Sequence, residues 1–440
     1  MANIGNILSI NSPSGFWVNI IKAFEGATGH YVLAVILLTV VIRLVWAFVE
    51  TFSKYAQQKQ TSIQTQMQPE LEKLKAKYQS QPAVLSQKQN ELYRKYYGRG
   101  YYGSCIIMLV IMVLNMVIFF TLFSGLNTMA RYKTAYNYDK LKYQYANCLN
   151  VADTYLGDYS DTTKLELFAD YENIEFKVSE DGTKIGIYHN GTLLENSEID
   201  YKTNFALYEF QTNPETGEEE EIETQSSNET ILEIINRIFP SEEADEIEIA
   251  EDLYLSTAIQ SVSMSNIYKF YEENKDSFLW IENIWNADSP LVKSTPSYKS
   301  IASSLGKKNV GEGEEEIYNA FMKDLAKKKN RANGYFILPI LCVLSTMLSI
   351  FITTTYNKMK NKKKGIVDPK LGFKWTQIII PLVLGLFALL YNSVFAIYMV
   401  TGQLVSALVT PLQLLVIDKY ISSKKKKEDD KVVVEYSRKF

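Results

Sequence analysis

The apolar segment Tyr31–Phe48, which reads YVLAVILLTVVIRLVWAF, decides the class of this protein. It holds a single charged side chain, Arg43, among 18 residues. A helix needs about 20 predominantly apolar residues to cross about 30 Å of hydrocarbon. One such block, taken alone, could also be a buried core helix of a soluble domain. Its length and its lack of acidic residues favour a membrane-spanning helix.

Three further apolar blocks follow at Cys105–Leu126, Phe336–Tyr356 and 376–417. The last block is too long for one helix and suits two. The polar run Tyr391-Asn392-Ser393 predicts a break, which leaves spans over 376–391 and 393–417. The predicted fold class is an all-α polytopic membrane protein with five transmembrane helices, a cytoplasmic helical hairpin and a small α+β extracellular insertion.

Charge is distributed very unevenly between the predicted loops. Residues 131–330 hold 39 of the 50 acidic residues of the chain and only 19 of its 46 basic residues. The loops 51–103, 356–374 and 419–440 hold nine, seven and eight Lys or Arg residues, and short cytoplasmic loops are enriched in these cations. The pattern predicts an outside N-terminus and a cytoplasmic C-terminus. The cluster Lys327–Lys329 with Arg331 breaks the pattern, but long translocated regions escape the rule.

These signals predict an ordered series of segments. They are an extracellular interfacial helix in 1–30, span one in 31–50, a cytoplasmic helical hairpin in 51–103, span two in 104–126, an acidic extracellular insertion in 127–334, span three in 335–356, a basic cytoplasmic loop in 357–375, span four in 376–391, span five in 393–417 and a basic cytoplasmic tail in 418–440. In the first segment Phe16, Trp17, Ile20, Ile21 and Phe24 recur at helical spacing, which fits either an interfacial helix or an ordinary packed one.

The hairpin is predicted from two apolar stripes that a turn separates. Met67, Leu71, Leu74 and Tyr78 form one stripe, and Leu85, Leu92 and Tyr96 form the other. Pro69 is expected in a first helical turn, directly after Gln68. Glu70 in the same turn would complement the helix dipole. Such a projection is either a spacer or a surface on which a partner lands.

Arg43 is the strongest candidate for a functional residue. An unpaired cation in the bilayer costs several kcal/mol, about 2.5–3.5 on insertion scales, so it must face water or polar partners. One reading is that its side chain reaches the cytoplasmic headgroups. The other is a water-filled groove open to the cytosol. The polar side chains that could line such a groove are Asn115, Ser345, Ser349, Thr401, Gln403 and Ser406.

The remaining composition argues against a metal or redox site. Three cysteines and two histidines, spread along the chain, predict neither a disulfide framework nor a His/Cys metal site. In 127–334, the stretch IEFKVSEDGTKIGIYHNGTLLE carries strand signals with Asp181-Gly182 and Asn190-Gly191 as turns. The acidic runs Glu218–Glu221 and Glu312–Glu316 are expected to be solvated loops rather than Ca²⁺ sites.

Several short blocks, taken in order, resemble the YidC-type family of membrane protein insertases. They are VIRL (Val41–Leu44), MQPELEKLKAKY (Met67–Tyr78), LYRKYY (Leu92–Tyr97), IFFTLF (Ile118–Phe123), SFLWIENIWNADSP (Ser277–Pro290), FILPIL (Phe336–Leu341) and FAIYMVTGQLVSAL (Phe395–Leu408). The chain departs from the family at Trp46-Ala47-Phe48, where a proline is common, and at Cys105-Ile106-Ile107 and Asn115-Met116-Val117 in the second span.

The resemblance implies a function as well as a fold. It implies a hydrophilic groove with Arg43 as its central cation, a mobile hairpin that receives substrates, and a place in the bacterial plasma membrane. The implied partners are nascent membrane-protein substrates, the lipid bilayer, the Sec translocon and the ribosome, without a specific nucleic-acid site. The alternative is a small-solute transporter or channel, for which no internal repeat is visible. No nucleophile–base pair or cofactor motif predicts an enzyme.

Overall fold

The computed structural model describes residues 12–97, 100–157, 162–179, 184–200, 207–212, 219–225, 231–239, 249–306, 313–363 and 375–437. The described helices are α1 (Phe16–Thr28), α2 (Tyr31–Lys77), α3 (Pro82–Tyr97), α4 (Gly100–Leu156), α5 (Thr162–Ala169), α6 (Ile231–Ile238), α7 (Ile249–Asn274), α8 (Tyr298–Leu305), α9 (Glu314–Lys329), α10 (Ile337–Lys363), α11 (Thr376–Leu390) and α12 (Ser393–Ser437). The strands are β1 (Ile174–Val178), β2 (Lys184–His189), β3 (Thr192–Leu193), β4 (Ile199–Asp200), β5 (Leu207–Thr212) and β6 (Glu219–Gln225).

The chain divides into two compact units. The membrane unit comprises Gly15–Asn127 and Phe336–Phe440, and the acidic unit comprises Met1–Ser14 and Thr128–Tyr335. Among the described residues, four helical segments are long and apolar enough to cross a membrane: Tyr31–Gln60, Ile106–Leu156, Ile337–Lys360 and Ser393–Ser423. A shorter apolar helix covers Gln377–Leu390. The prediction of a largely α-helical, multi-pass membrane protein is therefore confirmed.

The predicted break between the last two apolar helices is also present. Helix α11 ends at Leu390 and α12 begins at Ser393. The Asn392 side chain caps the new helix, because its Oδ1 accepts a hydrogen bond of 2.9 Å from the Phe395 amide. Such a cap satisfies a backbone donor that has no partner within the helix. At 15 residues, α11 is about 22 Å long and short for a span.

The hairpin differs from its prediction in one respect. No helix starts at Pro69, because α2 continues without interruption from Tyr31 to Lys77 and contains this proline. The turn follows Lys77, and α3 begins at Pro82. Met67, Leu71 and Leu92 form the small core between α2 and α3, with Leu74 and Tyr96 packed against it. These five residues of the two predicted stripes thus meet between α2 and α3, whereas Tyr78 and Leu85 are not part of this core.

The acidic unit contains the small antiparallel sheet that the sequence predicts. Strand β2 pairs with β1, β3 and β4, and β5 pairs separately with β6. Asn190 and Gly191 join β2 to β3 with φ values of 48° and 80°. These left-handed conformations suit asparagine and glycine. The predicted turn at Asp181-Gly182 lies outside the described residues.

Two acidic runs predicted as loops are instead partly regular structure. Glu219–Glu221 belong to strand β6, and Glu314–Glu316 form the first turn of α9. Carboxylates in a first helical turn are stabilised by the positive end of the helix dipole. The cations Lys327–Lys329 in the last turn of α9 are stabilised by its negative end. Lys329 also pairs with Glu272 at 3.7 Å. This arrangement gives the unexpected basic cluster a local structural role.

Candidate functional site

Arg43 lies on the membrane-spanning part of α2 and is half-buried. Its guanidinium packs against α12 at Gly402, which is buried. A β-carbon built at Gly402 would lie 2.9 Å from Nε and 3.0 Å from Nη2 of Arg43. Only a glycine lets the backbone of α12 approach the planar guanidinium this closely. The Arg43 head group is therefore held between two helices of the membrane unit.

A cavity of about 370 Å³ adjoins this head group. Three helices supply its walls, and the residues that line it are Ile42, Arg43 and Trp46 of α2, Asn115, Met116, Ile118, Phe119 and Phe120 of α4, and Tyr398 of α12. The lining is mostly aromatic or aliphatic, and Arg43 and Asn115 are the two strongly polar members. The cavity thus combines an apolar wall with a localised cation.

Arg43 has no hydrogen-bonding or ion-pair partner among the described residues. The five N–H donors of a guanidinium are costly to leave unsatisfied away from water. Because the head group faces a cavity far larger than one water molecule, its donors can be satisfied by solvent or by a bound chain. The guanidinium is therefore not fully enclosed by protein atoms, because part of it lines the cavity.

The structure brings together two of the polar side chains that the sequence singles out, Arg43 and Asn115. Ser345 is buried within α10, where its hydroxyl donates to the Cys342 carbonyl at 3.2 Å. The other candidates, Ser349 on α10 and Thr401, Gln403 and Ser406 on α12, are half-buried and are not among the residues that line the cavity. Trp46, Phe119 and Tyr398 line it and were not singled out, since aromatic residues are ordinary in membrane helices.

A group of polar contacts joins α2, α10 and α12 nearer their basic ends. Gln413 donates to the Ala47 carbonyl at 2.5 Å and to Thr51 at 3.2 Å. Lys54 donates to Thr410 at 2.9 Å. Lys360 bonds Gln58 at 2.9 Å and also pairs with Asp418. Sequence reasoning missed this group, because its partners are more than 50 residues apart and carry no common motif.

The hairpin carries a polar contact between its two helices. The Tyr96 hydroxyl on α3 donates to Glu70 of α2 at 2.7 Å, and Lys95 approaches the same carboxylate at 3.3 Å. The hydrogen bond from Tyr96, followed by that from Lys95, lowers the pKa of Glu70. Gln68 donates to Glu72 on the same helix at 3.3 Å. Tyr78 lies where the turn begins, and its carbonyl accepts from Gln81.

Comparison with known protein families gives a match over part of the chain. Residues 23–167 match the family described as 60Kd inner membrane protein, which is the family of YidC-type insertases. The matched segment covers about a third of the chain and includes α2, α3 and α4. No curated protein and no solved structure gives a significant match. The match includes Arg43, the hairpin and Asn115, so residues 23–167 of this multi-pass membrane protein are similar to the YidC-type family of membrane protein insertases.

Proposed function

We propose that this protein inserts other proteins into the membrane, by receiving apolar segments from the cytosol and passing them into the bilayer beside Arg43. The observation that carries the proposal is the half-buried guanidinium of Arg43, which has no hydrogen-bonding or ion-pair partner among the described side chains and lines a cavity between α2, α4 and α12. The family match over the same helices supports it.

The mechanism follows from the two kinds of surface in the cavity. Phe119, Phe120 and Ile118 offer apolar contacts to a hydrophobic client segment. Arg43 and Asn115 offer hydrogen-bond donors to the polar residues that flank such a segment. Moving a polar residue through hydrocarbon is costly unless its hydrogen bonds are replaced. The proposed role is to lower this barrier, and no bond is made or broken.

Helix α4 provides a route from the cavity towards lipid. It is the least buried of the four membrane-length helices, with 11% of its most apolar window buried. Ile106, Leu109 and Met112 are each more than half exposed along it. An incoming apolar helix can exchange lipid contacts for contacts with this surface at little cost, because lipid tails and aliphatic side chains are equally apolar.

The hairpin is proposed to receive the client on the cytosolic side. In this arrangement the N-terminus lies outside, the C-terminus lies in the cytosol, and the membrane is a bacterial plasma membrane. The basic loops support this direction. The Sec translocon and the ribosome are the proposed partners of the same process, on the family resemblance alone.

Depletion rescue tests the proposal. Cells that lack their own insertase would express this chain, and insertion of a single-span substrate would be measured. Arg43→Ala and deletion of residues 60–98 are each expected to reduce insertion at normal expression. Leu44→Ala is the matched control, because Leu44 is adjacent on α2 and does not line the cavity. Normal insertion by both test variants would overturn the mechanism.

Crosslinking distinguishes an insertase from a solute transporter or channel. A photoreactive residue at position 43 or 115 should capture a nascent membrane segment, whereas position 403, outside the cavity lining, should capture less. Transport of small solutes without any capture of nascent chains would favour the transporter.

A further inference from the structure

Two tight turns in the acidic unit present exposed leucines. Phe278 and Ile281 bond each other's backbone at 3.0 and 2.9 Å, which leaves Leu279 and Trp280 at the tip of the first turn. Leu279 has a φ of 54° and is 76% exposed. In the second turn the Val292 amide bonds the Ser289 carbonyl at 3.2 Å, and Leu291 is 85% exposed. A leucine in a left-handed conformation and in water is unfavourable on both counts.

One buried carboxylate fixes both turns. Asp288 is fully buried, and its Oδ2 accepts a hydrogen bond of 3.2 Å from the indole of Trp280. Its Oδ1 accepts from the Tyr335 amide at 2.8 Å. Ser289, the first residue of the second turn, follows Asp288 directly. The two leucines are therefore displayed by a loop that Asp288 holds with two hydrogen bonds.

Side-chain amides tie the same loop to residues 333–335. The Asn283 amide donates to Asn333 at 2.7 Å. In return, the Asn333 side chain donates to the carbonyls of Asn283 and Ala287, each at 2.9 Å. Asn333 is completely buried. The loop that carries Leu279 and Leu291 is thus hydrogen-bonded to the segment 333–335.

That segment ends where a membrane helix begins. Tyr335 precedes the first residue of α10, Ile337, by two residues, and α10 is long and apolar enough to cross a bilayer. Tyr335 itself is 64% exposed. Tyrosine and tryptophan are enriched at membrane–water interfaces, which is where residues 335 and 280 would then lie.

Basic residues flank the same loop. Lys293 forms a backbone bridge with Ala332, and the neighbouring Arg331 is 63% exposed at its side chain. Arg331 pairs with Glu282 at 3.8 Å, but this carboxylate is held more closely by Lys275 at 2.6 Å. Cations next to exposed apolar side chains match a membrane surface, where lipid phosphates adjoin acyl chains.

We propose that Leu279 and Leu291 insert into the lipid leaflet at which α10 begins, with Trp280 and Tyr335 at the level of the headgroups. The occupant of this exposed surface is then the bilayer itself. The proposal requires α10 to be a membrane helix and does not depend on insertase activity, so the two can fail separately.

Fluorescence in lipid nanodiscs tests the insertion. Leu279→Cys and Leu291→Cys would be made in a chain whose three native cysteines are replaced by alanine, and labelled with an environment-sensitive nitrobenzoxadiazole dye. The nanodiscs would contain phosphatidylethanolamine and phosphatidylglycerol, with or without a nitroxide-bearing lipid. Leu193→Cys is the matched control, because Leu193 is an exposed leucine of the same unit, in strand β3.

Both loop positions are expected to emit at shorter wavelength than position 193 and to be quenched several-fold more by the nitroxide lipid. They should also be several-fold less accessible to aqueous iodide. Lipid quenching and iodide access equal to those at position 193 would overturn the proposal. Retention of the α-helical circular dichroism spectrum and of a monodisperse elution profile would show that the variants are folded.

Discussion

Gly402 of α12 lies in contact with the guanidinium of Arg43 on α2, so that an added β-carbon would come within 3.0 Å of two guanidinium nitrogens. The contact joins residues 359 positions apart in the chain. The contact places the arginine head group against α12, and Arg43 also lines the cavity.

Gly402→Ala should impair insertion with little loss of stability. The new methyl group meets the far end of a flexible side chain, so the guanidinium can move away at a cost of about 1 kcal/mol, the low end of overpacking. We expect weaker rescue of insertase depletion but a melting temperature close to that of the wild type. A fully active variant would show that the position of the guanidinium is unimportant.

Gly385→Ala should instead lower the stability of the membrane unit. Its β-carbon would overlap Val343 Cγ2 and lie 3.5 Å from the Pro339 carbonyl oxygen, so α10 and α11 would have to separate. Overpacking of this kind costs about 1–3 kcal/mol. Thermal unfolding in detergent checks it. The control is Gly26→Ala, where nothing lies within 4 Å and removal of a helical glycine should stabilise by up to about 1 kcal/mol.

The hairpin should lose part of its stability at acid pH. Ionised Glu70 is favoured in the folded hairpin by Tyr96 first and Lys95 second, so its folded pKa lies below the ordinary value of 4.5. This stabilisation is present above pH 4.5 and is lost as the pH falls through the lower, folded pKa. Hydrogen exchange of the α3 amides, corrected for intrinsic rates, should show the loss.

Glu70→Gln is the control for that experiment, because it keeps an oxygen acceptor for Tyr96 and removes the titration. Its α3 protection should be weaker than that of the wild type at neutral pH. The two proteins should converge at the acid end. An equal pH response in both would assign the effect to other groups.

Loss of Lys142 should destabilise the acidic unit. Lys142 lies 3.2 Å from Asp139 and 3.3 Å from Glu314, and both carboxylates are buried. Removing one partner from a buried ionic group typically costs about 3–5 kcal/mol, because the remaining charge is unpaired. Lys142→Met should make this unit sensitive to protease. Adding Asp139→Asn and Glu314→Gln should restore much of the resistance, since no buried charge then remains.

Gly334→Ala should open the loop that carries Leu279 and Leu291. A β-carbon at position 334 would overlap the Asp288 carboxylate and come within 3.2 Å of the Asp288 backbone. Relief requires Asp288 to leave its hydrogen bonds with Trp280 and Tyr335. Limited proteolysis should therefore cut within 276–296 much faster than in the wild type. Unchanged cleavage there would contradict the role assigned to Asp288.

The membrane helices could be predicted from the sequence because their signal is local. A run such as Tyr31–Phe48 excludes most alternatives, and Asn392 and Asn190-Gly191 carry turn chemistry within a few residues. The prediction that a helix starts at Pro69 was wrong, because α2 continues through this exposed proline. The acidic start of α9 was also missed, since its charge resembles that of a solvated loop.

The candidate site was only partly predictable, for a different reason. Arg43 is conspicuous alone, as an isolated cation in an apolar run. Which residues surround it depends on how α2, α4 and α12 rotate about their axes, and a single helix of mixed polarity does not specify that rotation. Asn115 therefore joins Arg43 at the cavity, while Ser345 turns inward to its own helix.

Pro69 has a mechanical consequence for the proposed mechanism. A proline inside a helix removes one backbone hydrogen bond and weakens the helix locally. Pro69 immediately precedes Glu70, whereas Arg43 lies 26 residues earlier, about 39 Å along the axis. If the hairpin moves, we expect α2 to bend most easily at Pro69, near its distal end. In the proposed mechanism, the hairpin would then change direction without moving Arg43.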